Sequence, residues 1–355
     1  MTTVCPVLGS ARATSARAAC IISIASFGLF SATVTAATTV PAPELPAYQA
    51  QKVAAPKDAR YVLPDGSIRI NGAEHAQFML DHCNALFVQT HPGFKFTLDL
   101  KGTTSAMPAL THGVTPFTPM GRAVNAVELV PYGKVVGQEP LEIRVAHDSN
   151  NSTKLATSLA IYVNKDNPLE HLSMDQVARI FAIGNPGGDF SRWGQLGLKG
   201  EWARRAIHPY GTPEYSGFGD YMEKNHLAGL RYAPGTEELA DGADILKHIG
   251  EDSSGIGYAA IGRAGPNLKM IALAPKSGTD YSDGKVRDIL AGKYPLGRFL
   301  YFYVRRVPNQ PVDPWVKEYF RLLLSRDGQS LIASEPDGYI PLTAAEAALE
   351  LAKLN

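Results

Sequence analysis

Cysteine is nearly absent from this 355-residue chain: Cys5 and Cys20 lie in its first twenty residues, and only Cys83 follows. A lone cysteine excludes an internal disulfide. Long apolar runs are also missing. The longest candidate, Ala18 to Phe30, is too short for an ordinary membrane span, and no later stretch comes closer. An excess of charge of one sign is missing too, since 34 basic residues face 34 acidic ones. Nothing in that balance favours nucleic acid or an anionic membrane surface. The nine histidines show no paired metal spacing. Gly255-x-Gly257-x-x-Ala260 fits a dinucleotide fingerprint only on paper, because polar Glu251 to Ser254 stands where a strand should precede it. Ser216 lacks the glycine two residues earlier that a hydrolase elbow needs; that residue is Glu214. No cofactor, metal or catalytic group is therefore expected.

What is present begins with the N-terminus. No acid precedes Glu44, Arg12 and Arg17 supply positive charge, an apolar run follows, and Val34 and Ala36 suit a cleavage site. This layout predicts a signal peptide over 1–36 and a periplasmic or secreted product with no membrane span in the mature chain. Cys20 opens the apolar run instead of following it, so a lipid anchor is rejected. Loss of Arg12 and Arg17 leaves 32 basic residues against 34 acidic, a net charge near −2. The Pro- and Ala-rich stretch over 37–49, with similar composition to Lys57, reads as a flexible lead.

Strand and helix patterns then alternate. Glu74 to Gln89 reads as a helix with Cys83 on its apolar face beside Met79, Leu86 and Phe87, a packing position. Phe94, Phe96, Leu98 and Leu100 alternate with polar residues, which predicts a strand with one covered face. Further strands are expected within Leu141 to Ala146, Ser158 to Asn164, Ala206 to Tyr210 and Ile256 to Ile261. Helices are expected from Ser173-Met-Asp-Gln176, which has capping-box spacing, over Phe218 to Lys224 and over Gly242 to Ile249. The alternation predicts an α/β protein with mostly parallel sheets.

The C-terminal third is the most specific. Tyr294-Pro-Leu-Gly-Arg298 leads into an apolar strand, Phe299 to Val304, which should be buried on both faces. A helix from Pro314 to Leu324 follows, with Asp313 as N-cap, then Asp327-Gly-Gln329 and Gly338-Tyr-Ile-Pro-Leu342. This order resembles the C-terminal end of phosphate-type periplasmic solute-binding proteins. Tyr162-Val-Asn-Lys-Asp-Asn-Pro168, Leu172 to Val177, Trp193 and Gly255-Ile-Gly-Tyr258 are similar to further motifs of that family, so the resemblance covers roughly Lys95 to Leu342. It implies a two-lobed, type II binding-protein fold with crossing strands and a ligand enclosed between the lobes. Lobe 1 would comprise 50–157 and 293–355, and lobe 2 would comprise 158–292.

Helix N-termini are natural oxyanion sites, because their first amides lack intrahelical partners and the dipole favours negative charge. Two turns qualify. Gly102-Thr103-Thr104-Ser105 follows the strand ending at Leu100, and Gly211-Thr-Pro-Glu-Tyr-Ser-Gly217 precedes the Phe218 helix. The resemblance makes Thr103, Thr104, Ser105, Ser216 and Gly217 ligand contacts. It also makes the second turn depart from the family's Arg-x-Asp-Gly-Ser-Gly-Thr loop: Thr212 replaces the anion-pairing arginine, leaving Glu214 without its usual cation. A lost charge-assisted hydrogen bond costs about 1.5–3 kcal/mol, so weak phosphate binding is expected unless another arginine compensates. Arg122, beside Gly121, is one candidate, and an inter-lobe or surface ion pair is its alternative role. Two functions remain. One is an exported, monomeric solute-binding protein that delivers a small anion to an ABC permease or sensor. The other is a secreted interaction or scaffold module with a degenerate anion site.

Overall fold

The computed structural model describes residues 44–150, 156–263 and 265–354. The expected signal peptide and the start of the lead lie outside them. Two large hydrophobic cores organise the chain. The first gathers Ile68, Ile70, Met79, Cys83 and Phe87 with Phe117, Phe302, Trp315, Tyr319 and Phe320. The second gathers Leu159 to Val163 with Val177, Phe181, Trp193, Ile245, Ile256, Tyr258 and Leu296. A small satellite of Met107, Leu110, Met120, Tyr132 and Tyr303 joins the Thr103–Thr111 and Ala126–Val136 helices.

The architecture is α/β, and its sheets are mixed instead of mostly parallel. Phe299–Val304 is the middle strand of three, antiparallel to both Phe117–Met120 and Leu141–His147. Leu159–Asn164 runs antiparallel to Leu268–Met270 and to Gly255–Ala260 in a five-stranded sheet completed by His208–Gly211 and Glu237–Glu238. Every other pair of described strands is parallel, including Ile68–Gly72 with Phe96–Leu100. The antiparallel pairs thus all involve the two apolar strands that follow a crossing from one core to the other. Side by side at the crossing, Leu159 N–H donates to the Leu296 carbonyl at 3.1 Å.

Local departures from the sequence reading have simple causes. The first helix opens with a 3₁₀ turn, Glu74–Ala76, before Gln77–Thr90. Asp313 holds the N-cap position of the Pro314–Leu323 helix, but its side chain makes no capping bond; its carboxylate accepts the Tyr61 hydroxyl at 2.6 Å. Asp327-Gly-Gln329 lies inside a further helix, Arg326–Ala333, capped by Ser325. The lead from Glu44 onward has no regular structure but is tied down. Leu45 is buried, and Tyr48 and Gln51 both donate to Glu318 at 2.7 Å. Cys83 is buried, and burial pushes its thiol up to about 12, so it is inert packing.

Gly257 marks a close approach, not a nucleotide turn. A Cβ there would sit 2.6 Å from Ile245 Cγ2 and 2.8 Å from the Tyr210 carbonyl oxygen. Gly257→Ala should therefore lower stability by about 1–3 kcal/mol, read as a lower denaturant midpoint at unchanged slope.

Candidate functional site

Three chain turns converge on one cavity. The first follows the Phe96–Leu100 strand, where Gly102 takes φ +93° and opens the Thr103–Thr111 helix. Only a residue without Cβ takes that conformation cheaply. Pro108 falls inside this helix, where its missing N–H spares only the Thr104 carbonyl near the helix start. The second follows Ile68–Gly72 and presents Glu74 and His75. The third is Ser216, whose Oγ accepts from Gly219 N–H at 3.1 Å and caps the Gly217–His226 helix. By helix geometry the amides of Gly217 and Phe218 are then left without intrahelical acceptors.

The cavity holds about 240 Å³ and is lined by Glu74, His75, Thr103, Gly121, Arg122, Ala156, Gly217, Phe218 and Arg298. Of the sequence candidates, Thr103, Gly121, Arg122 and Gly217 line it; Thr104, Ser105, Thr212, Glu214 and Ser216 do not. Thr104 is exposed, and Ser105 Oγ donates back to the Gly102 carbonyl at 2.8 Å. Thr212 is buried, with its backbone N–H donating to the Tyr258 hydroxyl at 3.0 Å and its Oγ accepting from Ser216 at 2.8 Å. Glu214 accepts the Tyr232 backbone N–H at 3.0 Å, so a backbone donor supplies the partner it lacks in sequence.

Arg122 lines the cavity with its fork already occupied. Both terminal nitrogens meet Glu128 at 2.7 Å, and Glu128 also accepts from Asn125 N–H in a capping box. Gly217 matters beside it, since a Cβ there would approach Arg122 Cδ to 3.3 Å. Gly121 matters more: a Cβ would fall 2.5 Å from the His75 ring.

Sequence reasoning missed Glu74, His75, Ala156, Phe218 and Arg298. Arg298 is the most consequential, a guanidinium only 4% exposed. Nη1 donates to the Thr157 carbonyl at 3.0 Å and Nη2 to Gly121 at 2.9 Å, while Asp148 lies at 3.5 Å. Phe218 and Tyr221, from the Gly217 helix, face the guanidinium at 5.2 and 5.1 Å. Arginine carries five N–H donors, so these contacts fix its plane and leave donors for the cavity. Its one sequence signal was an isolated cation at the mouth of an apolar strand.

Two buried groups titrate in opposite senses. Burial pushes the Asp148 carboxyl up to about 6, with Arg298 and His147 pulling partly back. Its stabilising contribution is therefore complete below the ordinary carboxylate range and is lost as pH rises through 6. Burial lowers His75 to about 4. Its contribution is present above the ordinary imidazole value and is lost as pH falls through 4. Asp148→Asn should accordingly be neutral to stabilising near neutral pH, by up to about 3 kcal/mol, with the difference vanishing on acidification. Arg298→Gln leaves the buried carboxylate unpaired and should cost about 3–5 kcal/mol. Denaturant titrations across pH check both.

Comparisons with known proteins agree on one family. A model described as a PBP superfamily domain matches residues 63–327. The phosphate-binding protein PstS of Pseudomonas aeruginosa is 35% identical over 261 residues, covering 73% of this chain and 77% of that protein. An ABC-type phosphate transport receptor from Vibrio cholerae superposes with a TM-score of 0.51 at 21% identity, over 77% of this chain and 99% of that one. PstS from Borrelia burgdorferi gives 0.51 at 16% identity, over 78% and 98%. The two structures establish the shared fold.

Proposed function

The chain belongs to the phosphate-type family of periplasmic solute-binding proteins, and from that premise we propose that it captures a phosphate-like oxyanion between its lobes and delivers it to an ABC permease. The carrying observation is Arg298, a buried guanidinium held between backbone carbonyls and aromatic rings at the wall of a small cavity. About 240 Å³ lies below the roughly 300–1,000 Å³ of sites for drug-sized ligands, so a small tetrahedral ion suits it better than an organic acid of any length.

Arg298 takes over the charge that Thr212 cannot supply. Thr103 and Gly217 open helices of nine and ten residues at the cavity wall, and their amides supply neutral donors aimed at an anion. Binding, not chemistry, is the reading for this site. We assign lobe 1 to 50–157 and 293–355 and lobe 2 to 158–292. The support is that the second core draws chiefly on residues 159–289, with Tyr294, Leu296 and Ile340 added from the C-terminal segment, whereas 45–156 and 300–354 furnish the first. Among the described residues no helix is long and apolar enough to cross a membrane. The product is assigned to the periplasm.

Inorganic phosphate should raise thermal stability, by about 2.7 kcal/mol at a hundred times its dissociation constant. Arg298→Lys, which keeps the charge but loses the fork, should weaken phosphate about ten- to a hundred-fold by calorimetry. Thr212→Val should change affinity by less than about threefold, under 1 kcal/mol. A larger loss from Thr212→Val than from Arg298→Lys would contradict the assignment. No stabilisation by any oxyanion would favour the interaction-module alternative.

A further inference from the structure

The charged groups around the cavity do not balance in favour of an anion. Arg122 and Arg298 line it, but Glu128 and Asp148 pair with them, and the carboxylate of Glu74 lines the wall. At neutral pH two cations therefore face three carboxylates. A dianion entering a site with a negative sum is opposed unless a proton accompanies it.

One group is placed to take that proton. The His75 ring lines the cavity, and its Nε2 is buried with no hydrogen-bond partner among the described residues. An unsatisfied buried nitrogen costs stability, so such an atom at a cavity wall calls for a ligand. Gly121 admits the ring against its backbone, where any side chain would displace it. We infer that His75 is a direct ligand of the bound anion, donating from Nε2, and that anion and proton bind to this cavity cooperatively.

The surroundings of His75 support the sense of the effect. Glu74 on its own turn and Asp337 on the C-terminal tail favour the charged ring, and Arg298 opposes it. Tyr339 lies 6.5 Å away, ring to ring, and is neutral, its hydroxyl pushed far above the physiological range by burial. Without ligand, burial dominates and the imidazole is neutral. A dianion screens Arg298 and supplies a counter-charge at Nε2, so the imidazolium becomes favourable. By reciprocity, acidification must then tighten binding. His75 thus acts as a specificity residue that ties capture to ambient pH.

The inference rests on the anion-capture reading, and its test separates the two. The full-length mature protein is ¹⁵N-labelled, and the His75 ring nitrogens, assigned by difference with His75→Gln, are followed at about pH 5.5 with and without saturating inorganic phosphate. Without phosphate the ring should be neutral. With phosphate it should carry an imidazolium signature, corresponding to a rise in its midpoint of at least about 2.5 units, and wild-type affinity should gain about tenfold relative to His75→Gln between pH 7.5 and 5.5. Phosphate binding with an unchanged His75 signal overturns this inference alone. Absence of phosphate binding overturns the capture reading and this inference with it.

Discussion

The buried contact between Arg298 and Asp148 is the constraint on which the rest of this molecule depends. Arg298 stands at the chain crossing, with its own carbonyl accepting Asp148 N–H at 2.9 Å. Its guanidinium binds backbone at Thr157 and Gly121 and faces rings of the Gly217–His226 helix. One side chain therefore touches the first core's connections and the Gly217–His226 helix of the second core. A buried ion pair of this kind adds little stability by itself, since desolvation offsets much of its attraction. What it supplies is position: a cation that cannot move away from the cavity or be screened by solvent.

The pair also decides how firmly Arg298 is already engaged at the cavity wall. Asp148 has neither oxygen in a hydrogen bond among the described residues, and its burial makes ionisation unfavourable. The carboxylate is thus a weak competitor for Arg298 compared with a ligand that also reaches helix amides. Arg122 differs, because Glu128 satisfies both arms of its fork and ties it to the capping box of Ala126–Val136. Two arginines in one cavity are consequently unequal, and only the more deeply buried one has donors to spare.

Much of the fold was legible in the sequence because apolar runs and caps are local signals. Phe299–Val304 and the Ser173–Gln176 capping box appear where the residues place them. The direction of strand pairing was not legible, since a buried strand reads the same whether it runs with or against its neighbours. The Ala126–Val136 helix was missed because Pro131 and Gly133 interrupt its pattern and three valines, Val127, Val130 and Val135, are exposed. The site was half legible. Glycine-bearing turns before helices announced Thr103 and Gly217, but the reading of Thr212 as a site residue followed a motif, whereas the fold buries it among tyrosines. Arg298 and His75 reach one cavity only through folding across more than two hundred residues, and neither burial nor that proximity is written locally.

The central claim is that Arg298 supplies the charge that the Gly211–Gly217 loop lacks. The most direct measurement is a crystal structure of the protein with inorganic phosphate. The account predicts phosphate oxygens about 2.7–2.9 Å from Arg298 nitrogens, with amides of the Thr103 and Gly217 turns completing the shell. Phosphate lodged against Thr212 and Glu214, or held in the cavity with no contact to Arg298, would contradict it.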